Sequence, residues 1–324
     1  MPLLRSAFAG RGAILAFHEI NTDPSAELLT GCSTAFLDAA LVWLRRNRWE
    51  FVTLDEGLRR ANDPGRRDRF VVITFDDGYR DTHTLALPIL ERHGAPFTVY
   101  VPTAAVTRTL DAWWLGLREL IRRRDTISIE GMGKTLECRD LASKAKALAR
   151  GVAWFHQDLR RTSHLQPLFR QAGISLQALD ARYFLDETEL RRLASHPLAS
   201  IQAHTSNHPA LTHLDEISVW QEMSENRAWL ENLLQSPVDH FAYPYGHRRA
   251  AGQREAAIAA AVGFKSAVTT RSGPVTDSDA ATPHLLPRIW VGTDTSIARL
   301  DAGVSGVEKI MKRAAVGIGL DANA

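Results

Sequence analysis

The chain has 324 residues, 45% of them apolar, with 39 Lys and Arg against 37 Asp and Glu for a net charge of +2. That length suits one α/β barrel carrying insertions, and the balanced charge gives no reason to expect nucleic acid as a partner. No run approaches the ~20 apolar residues of a membrane span, and Arg5, Arg11 and the Gly10–Gly12 region interrupt any signal-peptide core, so the expected location is the cytoplasm. Cys32 and Cys138 are far apart and in no paired motif, which favours a reduced compartment. Basic runs at 122–125 and 149–161 read as solvated helix faces, with peripheral membrane contact left open.

In chain order, "GAILAFHEI" predicts a buried strand ending at His18 and Glu19. "STAFLDAALVWLRRN" predicts a helix, with Ser33 or Thr34 as N-cap. "WEFVTL" reads as a second strand, "NDPGRRD" as a loop, and "FVVITF" as a third strand buried on both faces because it does not alternate. "TLALPILERHG" is a helix closed by Gly94, and "PFTVYVPT" a fourth strand. Residues 104–180 break this rhythm and read as a mostly helical insertion with a short hairpin near "ISIEGMGKTLECRD". The alternation then resumes through "LASIQAH", "HFAYPYG", "FKSAVTT" and "LLPRIWV", each preceded or followed by a helical pattern, and the last twenty residues predict a terminal helix. The expected fold is α/β, a distorted parallel β/α barrel, with residues 1–324 as a single domain around the 104–180 insertion.

Three segments carry candidate chemistry. "ITFDDGY" puts Asp76 and Asp77 at the C-terminal end of a buried strand, the end at which barrel active sites form; a solvated Asp-Asp-Gly turn is the alternative. "IQAHTSNHP" places His204 and His208 four residues apart, where both imidazoles can reach one cation on a helical turn or tight loop; a chance pair of histidines is the alternative. Asp with two histidines leaves positions open on a metal, as a catalytic ion requires. "DHFAYPYGH" holds a Pro-Tyr-Gly turn that aims a backbone N–H into a pocket, or else an aromatic core corner.

Taken together, "TFDDGY", "HTSNH" and "YPYG" resemble the motifs of the polysaccharide deacetylase superfamily (NodB-like, carbohydrate esterase family four), and "ILAFHEI" is similar to the start of one branch. The resemblance covers residues 13–103 and 185–293. It implies a metal-dependent hydrolase that removes an N-acetyl group from an amino sugar of a polysaccharide, oligosaccharide or glycan precursor. It makes Asp77, His204 and His208 the metal ligands, Asp76 the general base and the Tyr245 backbone N–H the oxyanion donor. The ion is expected to be zinc, with cobalt, nickel or manganese as alternatives, and the partner a carbohydrate substrate. The cation would neutralise Asp77 and relieve the repulsion within the acidic pair.

The chain departs from the family where Tyr243 stands in place of an Arg that tethers the base. Arg288 is the candidate replacement, with a surface ion pair as its alternative. The late His that supplies the general acid has no clear match, and His18 and His284 are rivals for that role. Trp113, Trp114, Trp154 and Phe155 either stack on sugar rings or pack the insertion onto the barrel, and Trp290 lines a pocket or belongs to the core. The same motifs admit O-deacetylation or deformylation, and the departures admit a catalytically silent carbohydrate-binding protein.

Overall fold

The computed structural model of the protein describes residues 12–307 apart from 23–27, 29–30, 64 and 66–67. The expected terminal helix falls almost wholly outside the described residues, as does most of the N-terminal segment read for a leader. The described strands are β1 Gly12–Phe17, β2 Ile20–Asn21, β3 Cys32–Ser33, β4 Glu50–Phe51, β5 Phe70–Phe75, β6 Phe97–Val101, β7 Thr126–Ile127, β8 Leu136–Glu137, β9 Ala199–Ala203, β10 His240–Ala242, β11 Ser266–Val268 and β12 Ile289–Trp290. Eight of them form one parallel sheet in the order β11-β10-β9-β6-β5-β1-β12, with β4 added on β5. Leu286 bridges to Val268 of β11, and Ile289 and Trp290 pair with Leu15 and Ala16 of β1, so the stretch 286–290 links the two ends of the sheet. The result is the expected α/β class, a distorted parallel β/α barrel.

The continuous apolar runs are explained by this closure. On β5, Val71, Ile73 and Phe75 join the outer core shared with the surrounding helices. Phe70 and Val72 point the other way and pack inside the barrel with Ile14, Tyr100, Ala242 and Val268. Both sides of the strand therefore bury apolar atoms, and no polar alternation is needed.

Local chemistry sets the element ends. Ser33 Oγ accepts from the Phe36 N–H at 3.0 Å and starts the helix Thr34–Arg46, which buries Leu37, Ala40, Leu41 and Leu44. The second predicted strand shrinks to Glu50–Phe51, because Thr53 caps the helix Leu54–Ala61 by accepting from Glu56 N–H at 3.2 Å. The helix predicted to end at Gly94 opens with a π turn, Thr82–Ala86, before the α-helix Leu87–Arg92. Pro88 cannot donate to Thr84, and the Leu87 N–H bonds the carbonyl of Thr82 instead.

Between β6 and β9 the chain forms the helices Thr103–Thr107, Trp113–Arg123, Leu141–Gln157, Leu165–Gln171 and Leu176–Tyr183 and the antiparallel pair β7–β8. These elements bury Trp113, Leu117, Ile121, Phe155 and Phe169 in a core separate from the barrel's two. Cys32 and Cys138 are buried free thiols. No helix among the described residues is long and apolar enough to cross a membrane.

Candidate active site

The alternation of β5 decides where the acidic pair points. Thr74 faces inward and donates to the Leu15 carbonyl at 2.7 Å, and Asp76 takes the next inward position. Asp77 adopts φ 68° and Gly78 φ 70°, which swings the second carboxylate across the barrel mouth. Both are buried, Asp76 at 2% exposure and Asp77 at 5%, so the solvated-turn alternative does not apply.

Asp77 Oδ1 lies 3.3 Å from His204 Nε2 and 3.3 Å from His208 Nε2. His204 Nδ1 is 2.7 Å from the Ala242 carbonyl, which only accepts, so Nδ1 carries the proton and the Nε2 lone pair faces Asp77. A carboxylate oxygen and an imidazole lone pair at that separation repel unless positive charge sits between them. The three donor atoms lie within 4.8 Å of one another and are buried. Ligands ~2.0–2.1 Å from a tetrahedral ion stand roughly 3.3 Å apart, so the donor set fits a small divalent cation. Burial opposes ionisation of Asp77, but the close approach of His204 and His208 outweighs it and holds the carboxyl well below its ordinary range. Burial also lowers the His208 pKa, which favours the neutral, ligating ring.

The histidine loop is a tight turn rather than a helix. Thr205 and His208 have φ of 67° and 59°, and Thr205 Oγ1 accepts the His208 N–H at 3.0 Å. The long helix Glu216–Leu234 holds this turn from outside. Asn226 Oδ1 accepts the His204 N–H at 2.8 Å while its amide donates to Val101 O and Thr103 Oγ1. Glu222 accepts from both the backbone and the side-chain amide of Asn207. Of seven non-glycine residues in the left-handed region among the described residues, four (Asp77, Thr205, His208 and Tyr245) belong to this site. Each costs about 1–3 kcal/mol, and the surrounding bonds keep them in place.

Arg288 is fully buried and grips Asp76 with both terminal nitrogens, at 2.7 Å to Oδ1 and 2.6 Å to Oδ2. Its Nε donates to the Thr269 carbonyl at 2.9 Å, which fixes the fork. This is a bidentate pair inside the barrel and not a surface ion pair. Burial alone would raise the Asp76 pKa, but the charge and hydrogen bonds of Arg288 outweigh it, and the carboxyl stays below its ordinary range. His18, just past β1, brings Nε2 to 3.8 Å from Asp76 Oδ2 and keeps one third of its side chain exposed. His284 lies elsewhere. Its Nε2 bonds the Phe264 carbonyl at 2.8 Å, before the start of β11 and at the opposite end of that strand from the mouth.

Tyr245 turns at φ 62° after β10 and Gly246 follows at 59°. A Cβ on Gly246 would meet the Thr270 nitrogen at 2.5 Å, so only glycine permits this close approach. The Tyr245 hydroxyl accepts from the Trp113 indole at 3.0 Å, and the neighbouring Trp114 ring lies 5.2 Å from His208 and donates to the Tyr79 hydroxyl at 2.8 Å. On the same helix, Arg118 pairs with Glu19 through two bonds of 2.7 and 2.8 Å, next to His18. Trp113 and Phe155 pack together at 5.2 Å in the insertion core. Sequence reasoning did not find Asn226, Glu222 or Arg118; each lies within an ordinary amphipathic helix, and only the tertiary contact distinguishes it.

Comparison with known proteins agrees with this geometry. The sequence profile of the family described as Polysaccharide deacetylase matches residues 63–266, more than half of the chain. The poly-beta-1,6-N-acetyl-D-glucosamine N-deacetylase of Escherichia coli K12 is 28% identical over 127 residues, an alignment covering 34% of this chain and 19% of that protein's length. The solved deacetylase PplD of Streptococcus pyogenes, in complex with acetate, superposes with a TM-score of 0.60 at 19% identity over 90% of this chain and 97% of that one. The polysaccharide deacetylase BC0361 of Bacillus cereus gives 0.57 at 15% identity over 90% of this chain and 68% of that one. At such identities the two structures speak to the fold alone. The profile match spans "TFDDGY", "HTSNH" and "YPYG", the segments that converge at the barrel mouth, and the chain belongs to the polysaccharide deacetylase family.

Proposed function

We propose that the protein removes the N-acetyl group from an amino sugar of a polysaccharide, oligosaccharide or glycan precursor, using a divalent ion, zinc by preference, held by Asp77, His204 and His208. Two imidazoles and one carboxylate are a donor set that zinc accepts with a position left open. Such an ion supplies positive charge that acidifies water and polarises a carbonyl. Asp76 takes the proton of the attacking water, because Arg288 keeps it ionised and it adjoins Asp77 in the chain. The Tyr245 N–H serves the developing oxyanion from its left-handed turn. His18 returns a proton to the leaving amine, since it stands on the same side of the mouth as Asp76 and keeps access to solvent.

The observation that carries this reading is the pairing of Asp76 with Arg288 one residue from a three-donor cluster. A site built only to bind sugar has no use for a carboxylate held ionised beside a metal position. The name of the E. coli relative supports an N-acetylglucosamine unit as substrate. The test is acetate release from soluble N-acetylglucosamine oligomers by the zinc-loaded protein, beside an Asp76→Asn variant. Release by the parent and at least ~10²-fold slower release by the variant is the expected result. Metal binding without acetate from any amino sugar overturns the proposal.

A further inference from the structure

Trp290, in β12, is used by none of the chemistry above. Sides alternate along this stretch: Arg288 reaches Asp76 inside the barrel, while Ile289 and Val291 pack in the outer core. Trp290 and Gly292 therefore return to the Arg288 side. The register agrees, because Trp290 pairs with Ala16, and His18 stands two residues beyond Ala16 on the same side. Trp290 thus lies at the mouth of the barrel beside the strand that carries His18.

In spite of that position it is 43% exposed. The other exposed large apolar side chains among the described residues, Leu141, Ile217 and Trp220, all sit on helices. A second observation shows how the ring is seated. A Cβ built on Gly292 would stand 1.9 Å from Trp290 Cη2 and 2.2 Å from Cζ2, so the six-membered ring of the indole occupies the space over the glycine backbone. The floor is pinned: Gly292 N–H donates to Thr295 Oγ1 at 3.0 Å, Thr295 N–H donates to Gly292 O at 3.0 Å, and Thr293 Oγ1 donates to Gly31 O at 2.8 Å. An apolar ring held on a fixed floor yet left open to water is set for a ligand with an apolar face.

We propose that Trp290, seated on Gly292, is a stacking platform for a pyranose ring of the substrate, at or next to the unit that loses its acyl group. The inference rests on the amino-sugar reading and adds the residue that recognises the ring. The axial C–H bonds of a pyranose ring present an apolar face that can lie against the indole.

The test compares Trp290→Ala, Trp290→Phe and Gly292→Ala with the parent on a soluble β-linked N-acetylglucosamine tetramer and on 4-nitrophenyl acetate, which lacks a pyranose. Trp290→Ala should raise KM for the tetramer at least 10-fold with kcat within 3-fold, and this penalty should exceed that on the ester at least 5-fold. Trp290→Phe should recover most of the KM, and Gly292→Ala should behave like Trp290→Ala by displacing the ring. An unchanged tetramer KM in Trp290→Ala, or equal losses on both substrates, overturns the platform. A parent that cleaves the ester but releases no acetate from any amino sugar fails at the earlier step and removes both readings.

Discussion

The barrel mouth and the insertion helix Trp113–Arg123 meet the same loops by different means. At the mouth, strand register places the groups: Asp76 continues the inward face of β5, His18 follows β1, His204 follows β9 and Tyr245 follows β10. The helix reaches those loops through side-chain tips alone, Trp113 to Tyr245, Trp114 to Tyr79 and the face of His208, and Arg118 to Glu19. Groups that must be held to a fraction of an ångström stand on parallel strand ends, and the helix closes over them. Under the proposed function the chemistry belongs to the mouth and the tuning to the helix.

The largest expected effect tests the mouth. Asp76→Asn keeps the size of the side chain and removes the proposed base, so kcat/KM should fall by ~10²–10⁴ with metal content unchanged. Activity above one tenth of the parent would break the assignment. Next comes Arg288→Met. Arg288 holds the Asp76 pKa down, so its loss raises that pKa, and the acidic limb of the rate profile should move to higher pH. The folded-state pKa of Asp76 lies below its ordinary value, so its stabilising pair is present above the unfolded pKa and is lost as pH falls through the folded one. Leaving a buried carboxylate without its partner should also cost ~3–5 kcal/mol, read as a lower Tm near neutral pH. A profile and a Tm identical to the parent would contradict the pairing.

Smaller effects probe the helix. Trp113→Phe keeps the packing and deletes the hydrogen bond to the Tyr245 hydroxyl, worth about 1 kcal/mol. A roughly 5-fold lower kcat with metal content intact is expected; a loss equal to that of Asp76→Asn would erase the distinction between the two regions. The smallest lies deeper in the insertion. Asp180 accepts the Leu110 N–H through one oxygen, its other oxygen is buried without a partner, and burial raises its pKa to about 7. Because the folded pKa lies above the ordinary value near 4, the protonated form suits the fold, and stability is lost as pH rises through about 7. Asp180→Asn keeps an acceptor and cannot ionise, so its Tm should exceed the parent's at pH 8 and match it at pH 4. Equal shifts at both values would contradict the titration.

Much of the mouth was legible because its residues follow strands that read clearly as apolar runs. "FVVITF" announces a strand, and a strand's C-terminal end in a parallel barrel is a site whichever residues stand there. Arg288 was legible only as a candidate, since the bond to Asp76 spans 212 residues and no local pattern marks it. The same limit hid the helix contacts: Trp113 and Tyr245 are 132 residues apart, and Arg118 and Glu19 are 99. The shortened β4 has a local cause, for Thr53 serves a strand or an N-cap equally well until the chain commits to a turn. Trp290 kept both its readings until exposure and the room over Gly292 separated them.

The central claim, a cation held by Asp77, His204 and His208 with Asp76 beside it as base, is tested most directly by exhaustive chelation followed by graded return of zinc. Acetate release from an N-acetylglucosamine oligomer should fall to background and recover in proportion to zinc up to one equivalent per chain. Full activity in protein shown to be free of metal would contradict it.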